Sequence, residues 1–234
     1  SVAVGYQALK TLNNDADNYN TAIGSLAGTS LTTGNLNTLM GGLSGDALDT
    51  GVRNSSLGYA SLTSDTKGDN ATALGYGTLT TQNFTTNTDN YNVGVGYNAG
   101  NKITTGVSNT LVGGLAGDAL TDADFNVAVG RSALGADTLG SKTTAVGYGA
   151  LQTQNLTTAT DTHNTAIGFN AGASLSTGII NTLIGGIAGS ALTTGDSNVV
   201  VGYNALVTET QGDRNVAIGV QALANQNFTT DTDV

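Results

Sequence analysis

An aliphatic residue followed by glycine recurs thirteen times along the 234 residues, and the spacing of that phrase is the strongest pattern in the chain. Its glycines are Gly5, Gly24, Gly41, Gly58, Gly75, Gly96, Gly113, Gly130, Gly147, Gly168, Gly185, Gly202 and Gly219. After a first gap of 19, the gaps settle into 17, 17, 17 and 21, and this set of four recurs as a longer repeat. The longer repeat is visible directly: Asn37-Thr-Leu-Met-Gly-Gly-Leu-Ser-Gly returns as Asn109-Thr-Leu-Val-Gly-Gly-Leu-Ala-Gly and as Asn181-Thr-Leu-Ile-Gly-Gly-Ile-Ala-Gly. Fixed periods of this size mark a solenoid, in which each unit buries its apolar side only against its neighbours.

Each unit predicts β-structure. Val or Thr stands two residues before the aliphatic position, with Ser55 the exception, and such residues suit a strand. No apolar stripe of helical period runs through the unit, and its repeated glycines oppose a helix. The uniform aliphatic position predicts one buried column. An Ala column three residues after the glycine, as at Ala27, Ala99 and Ala171, predicts close approach of two backbones or two chains. A second glycine ten residues on (Gly34, Gly51, Gly68, Gly106, Gly140, Gly178, Gly195, Gly212) predicts a turn with positive φ. Each unit therefore reads as two short strands and two turns. Stacked at about 4.8 Å per rung, thirteen units make a rod of roughly 60 Å. The chain reads as one all-β repeat array over residues 1–234, with long-repeat boundaries near 20–91, 92–163 and 164–234.

Asparagine forms a further column four residues before the glycine: Asn20, Asn37, Asn54, Asn92, Asn109, Asn126, Asn164, Asn181, Asn198 and Asn215. Stacked amides predict a hydrogen-bonded ladder between rungs. Seven residues after the glycine, Leu31, Leu48, Ile103, Leu120, Leu175 and Leu192 alternate with Asp65, Asp137 and Glu209 and with Gln82, Gln154 and Gln226, which predicts a partly solvated column.

Composition narrows the function. The formal charge is −10 with only seven Lys and Arg, which disfavours nucleic acid and anionic membrane surfaces as partners. No run of about 18 apolar residues predicts a membrane helix. With no Cys and one His, neither a zinc site nor a Cys–His pair can be assembled within one chain. His163 occupies the place that Tyr19 and Tyr91 hold in the neighbouring long repeats, so it fills an aromatic slot. Gly94-Val-Gly-Tyr-Asn-Ala-Gly lacks the context of a dinucleotide loop and is the repeat turn. The acidic positions recur instead of converging in one groove, so no catalytic site is expected; a polysaccharide-cleaving β-helix enzyme stands as the rival class.

The phrases Asn20-Thr-Ala-Ile-Gly, Asn126-Val-Ala-Val-Gly and Asn215-Val-Ala-Ile-Gly resemble the head repeats of trimeric autotransporter adhesins. Asn164-Thr-Ala-Ile-Gly-Phe-Asn-Ala-Gly, with Ser176-Thr-Gly, is also similar to repeats of phage tail-fibre proteins. The resemblance covers nearly the whole chain and implies a left-handed β-roll in a homotrimeric fibre. It also implies an extracellular, cell-surface or virion setting and attachment to a cell-surface glycan or protein. The adhesin coil is shorter than the 17-residue unit seen here, and the super-repeat of four coils is not part of that pattern. A thin rod with an apolar column would itself gain by association, at about 25 cal/mol per Å² buried. The chain begins inside one unit and stops inside an insertion, which predicts a segment of a longer fibre. A passive spacer is one alternative. Ice binding, suggested by abundant Thr, is another, although the Thr residues form no long Thr-x-Thr face.

The insertions, near 11–19, 80–91, 152–163 and 224–234, are the expected place for contacts, since loops on a rigid scaffold carry function most often. Asn83, Phe84, Asn155, Leu156, Asn227 and Phe228 are the candidate receptor contacts, with the apolar three exposed in that reading and tucked against the rod or a neighbouring chain in the plainer one. The Asn-x-Thr sequons at Asn83, Asn155 and Asn227 carry no glycan in a bacterial or phage setting. No cofactor is expected. Calcium is the one metal considered, at Asp15 with Asp17, Asp122 with Asp124, and Asp231 with Asp233, but no complete calcium loop is present and Asp is an ordinary turn residue.

Overall fold

The computed structural model describes residues 1–13 and 17–228. The chain is an all-β parallel solenoid of about thirteen turns of about 17 residues, without a helix among the described residues. Each coil contributes one three-residue strand to a single thirteen-stranded sheet that runs from Val2–Val4 to Val216–Ile218. The strands stack in register, so that Ala128 lies beside Leu111 on one side and Ala145 on the other. Backbone bonds lock each seam: the Thr110 N–H donates to the Asn126 carbonyl at 2.8 Å, and the Gly113 N–H donates to the Val95 carbonyl at 2.8 Å.

One strand per coil, rather than two, is the rule. The remaining strands are two-residue pairs beside insertions: Gly68–Asp69 with Thr88–Asp89, and Gly140–Ser141 with Thr160–Asp161. The rest of each coil is tight turning backbone. In every coil the second and fourth residues after the strand glycine hold φ between 49° and 63°, filled by Leu26, Leu79, Asn98 and Leu151 as readily as by Gly. Such residues cost roughly 1 kcal/mol each. Their N–H groups donate to neighbouring coils, as Leu26 does to the Tyr6 carbonyl at 2.8 Å.

The strand glycine is required twice over. At Gly147 φ is +135°, and a Cβ would lie 2.3 Å from the Gly168 carbonyl oxygen of the next coil. The second glycine column has a different cause from the expected one. Gly34 does not hold positive φ; a Cβ there would lie 2.4 Å from the Gly51 oxygen and 2.7 Å from the Leu31 side chain. It is glycine because two coils touch there.

The core also differs from expectation. The aliphatic position before the glycine faces outward, half-buried at Val112 and Val129 and exposed at Leu57 and Ile167. The buried strand position is the middle one: Ala22, Leu39, Ala73, Leu111, Ala128, Ala145, Ala166, Leu183 and Val200. Strand alternation puts only one of two adjacent positions inside, and the narrow coil accepts mostly the smaller. The Ala column meets this interior, with Ala27, Ala99 and Ala171 fully buried within one chain. Large and small residues are matched across it. Where the middle position is Leu39, Leu111 or Leu183, the fourth residue after the glycine is Gly45, Gly117 or Gly189, and a Cβ on Gly117 would stand 2.8 Å from Leu111.

The column seven residues after the glycine is buried, not partly solvated. Leu31, Leu48, Ile103, Leu120, Leu175 and Leu192 are fully inside, and so are Asp65, Gln82, Asp137, Gln154 and Glu209; Gln226, in the last coil, is half-buried.

Candidate functional site

Two sets of residues stand out along this rod: a buried polar seam and an outward apolar face. The seam begins with the Asn column, which is buried throughout. The Asn109 side-chain oxygen accepts the Asn126 N–H at 3.0 Å in the next coil, and its Nδ2 donates to the Ala123 carbonyl at 2.8 Å across its own coil. The other members from Asn20 to Asn198 repeat this pair of bonds to backbone, as at Asn37 and Asn181. Direct amide-to-amide bonds are the minority, as between Asn198 and Asn181 at 3.0 Å.

The column breaks at Ala71 and Thr143, and the insertions repair it. Asn90, in the insertion, accepts the Asn92 N–H at 2.9 Å, and Thr162 does the same for Asn164 at 3.4 Å. Buried acids fix where the last three insertions leave the rod. Asp65 accepts the N–H groups of Gly68 at 2.9 Å and Phe84 at 3.2 Å, and the Gln82 amide at 2.6 Å; Gln82 in turn accepts from Asn92 at 2.9 Å. Asp137 repeats this with Gly140, Leu156 and Gln154, and Glu209 with Gly212 and Phe228. Among the described residues the ion pairs are Arg53–Asp89 and Lys142–Asp161, so these three carboxylates are held by N–H donors alone.

This geometry corrects the candidate contacts. Phe84 and Leu156 are 6% and 7% exposed, tucked onto the rod by the backbone bonds just described; Phe228, in the last coil, is half-buried. Asn83, Asn155 and Asn227 are exposed, and their side-chain oxygens accept hydroxyls from Thr66, Thr138 and Thr210 at 3.0–3.2 Å. His163 is exposed with φ 51°, in the same coil position as Tyr19 and Tyr91. Among the described residues no group of three His, Cys, Asp or Glu is placed to hold a metal ion. Asp122 accepts the Thr105 hydroxyl, Asp124 accepts the Val107 N–H, and Asp17 accepts the Tyr19 hydroxyl. Asp15, Asp231 and Asp233 lie outside the described residues.

Of the outward face, the Tyr column directly after the strand glycine (Tyr6, Tyr59, Tyr76, Tyr97, Tyr148 and Tyr203) is legible in the sequence as a solenoid face, with sugar stacking as the alternative. The strand columns are not, because the aliphatic position is expected inside. Among the described residues, every exposed large hydrophobic residue apart from Leu223 occupies one of four columns. Two are the outward strand positions, Val/Thr and Val/Ile/Leu/Met. A third lies five residues before the glycine and includes Tyr19, Leu36, Tyr91, Phe125 and Ile180. The fourth follows the glycine and builds an aromatic ladder. Tyr59, Tyr76 and Tyr97 stack at 5.7 and 5.6 Å, Tyr148 and Phe169 at 5.5 Å, and the Arg131 guanidinium stands 5.8 Å above the Tyr148 ring. None of the four columns contains an Asp or Glu, in a chain whose charge is −10. The alternation of strand side chains was the signal available for the strand columns. Among the described residues no helix is long and apolar enough to cross a membrane.

No protein-family model, curated protein or solved structure matches this chain.

Proposed function

We propose that this chain is a structural and adhesive segment of an extracellular or virion-surface fibre, in which three copies associate through the two outward strand columns and leave the aromatic ladder beside them open. The supporting observation is the segregation of the outward face: exposed Val, Ile and Leu gather in its strand columns, and none of its four columns holds an Asp or Glu. Contiguous exposed apolar surface of this kind marks an interaction site, and a carboxylate-free face lets acidic copies approach. The coil phrases similar to trimeric adhesin heads and phage tail fibres support the same arrangement. Attachment to a cell-surface glycan or protein is the role this reading assigns to the assembled rod.

Light scattering coupled to size exclusion tests it. A mass near three chains is expected, and Val112→Asp with Val129→Asp, both outward and half-buried, should dissociate the assembly while leaving β-sheet circular dichroism intact. A wild-type monomer at tens of micromolar would overturn the fibre reading.

A second reading, ice binding, draws on one observation: Thr21, Thr38, Thr72, Thr110, Thr144, Thr165 and Thr182 open strands stacked in register on that outward face. It calls for thermal hysteresis from a monomer, which the fibre reading does not.

A further inference from the structure

The aromatic ladder has rungs missing, and the absences are periodic. Nearly every described glycine is forced, either by positive φ or because a Cβ would come within 3.0 Å of a neighbouring atom; Gly42, Gly114, Gly135 and Gly186 are not. Three of these four, Gly42, Gly114 and Gly186, stand in the ladder column one long repeat apart. At Gly42 and Gly186 the ring of Tyr59 or Tyr203 closes over the gap, 3.3 Å from where a Cβ would be. At Gly114 nothing lies within 4 Å. The open rung is bounded by Tyr97 on one side and Arg131 on the other. Tyr97 already stacks on Tyr76 at 5.6 Å, and Arg131 leans on Tyr148. Two rungs span about 10 Å, enough for one saturated ring to make carbon contacts of about 3.5–4.0 Å on each side.

We propose that the open rung at Gly114 is a binding slot for an acidic pyranose of a glycan, its ring against the Tyr97 face and its carboxylate on the Arg131 guanidinium. Arg131 makes no ion pair among the described residues, and its planar fork suits a carboxylate. Tyr97 is more than half exposed, with an apolar ring and a polar tip, a surface suited to a sugar. Glycine at this rung leaves the slot open, since any side chain would fill it. The site deepens the attachment role proposed above, yet it stands or falls separately from association between copies.

The test is calorimetric titration of the intact chain with a tetramer of galacturonic acid, and with a neutral galactose tetramer as comparison. The acidic tetramer should bind at least tenfold more tightly, and the preference should weaken with salt. Gly114→Tyr, which the open space accommodates, should abolish binding without lowering Tm, because it continues the ladder. Arg131→Gln should reduce acidic binding to the neutral level. Absence of binding by wild type, or equal binding by Gly114→Tyr, overturns the proposal. So does a change of solution mass in Gly114→Tyr, which would assign the rung to contact between copies.

Discussion

Asn109 shows how much one side chain carries. It satisfies the Asn126 N–H and the Ala123 carbonyl, both in the rod's interior wall. Asn109→Leu removes both partners at once, and each orphaned buried group costs about 1–3 kcal/mol. A fall in Tm of several degrees is expected by circular dichroism; an unchanged Tm would sink the ladder as a stabilising element. Asp46 and Asp118 act in the opposite sense. Burial raises both carboxyls above the ordinary value of 3.8, more than their backbone hydrogen bonds lower them. A raised folded pKa means the charged form costs stability at neutral pH, and the cost fades as pH falls through the raised pKa and is gone well below 3.8, where both states are protonated. Asp46→Asn with Asp118→Asn should therefore raise Tm at pH 7, with the gain shrinking toward pH 4. A gain that grows on acidification would refute the sign.

At the scale of the single coil, the matched sizes across the lumen set stability. Leu111 fills space left by Gly100 and Gly117, whose Cβ atoms would stand 2.7 and 2.8 Å from it. Leu111→Ala should cost about 3 kcal/mol, because two backbone stretches already in contact cannot collapse into the cavity; chemical denaturation measures it, and a loss under about 1 kcal/mol would mean a pliable lumen. This scale also divides what the sequence discloses from what it hides. The coil length is legible because the strand glycine cannot be replaced: at Gly147 both φ and the Gly168 oxygen forbid a side chain. The direction of burial is not. Ala128 lies inside while Val127 and Val129 flank it half-exposed, so hydrophobicity points to the wrong column. The left-handed turns are hidden for a related reason, since Leu, Tyr and Phe hold positive φ at Leu79, Tyr91 and Phe125, where composition suggests nothing unusual. Asp65 and Asp137 read as solvated because a buried acid is expected to have a cation, and here backbone N–H groups from a distant insertion take that place.

Across the molecule, each coil touches mainly its neighbours, so stability should accumulate coil by coil. The apolar face is a whole-molecule property in the same sense. Half-buried Val112 or exposed Tyr97 alone is an ordinary surface residue, and only repetition through one continuous sheet makes a surface of them. The ladder gap at Gly114 was readable as a periodic glycine, but its meaning needed the rings on either side.

The seam between long repeats has one more consequence. Gln82 meets Asn92 as Gln154 meets Asn164, with amide bonds of 2.9 and 2.8 Å, and Asn90 supports the first junction as Thr162 supports the second. The two junctions are interchangeable. Excising 92–163 would bring Tyr91 onto Asn164 with equivalent partners waiting, leaving a shorter rod with an unbroken sheet. A gene carrying such units can lengthen or shorten by unequal recombination in steps of one whole long repeat, so the reach of the rod can evolve separately from the chemistry of its surface.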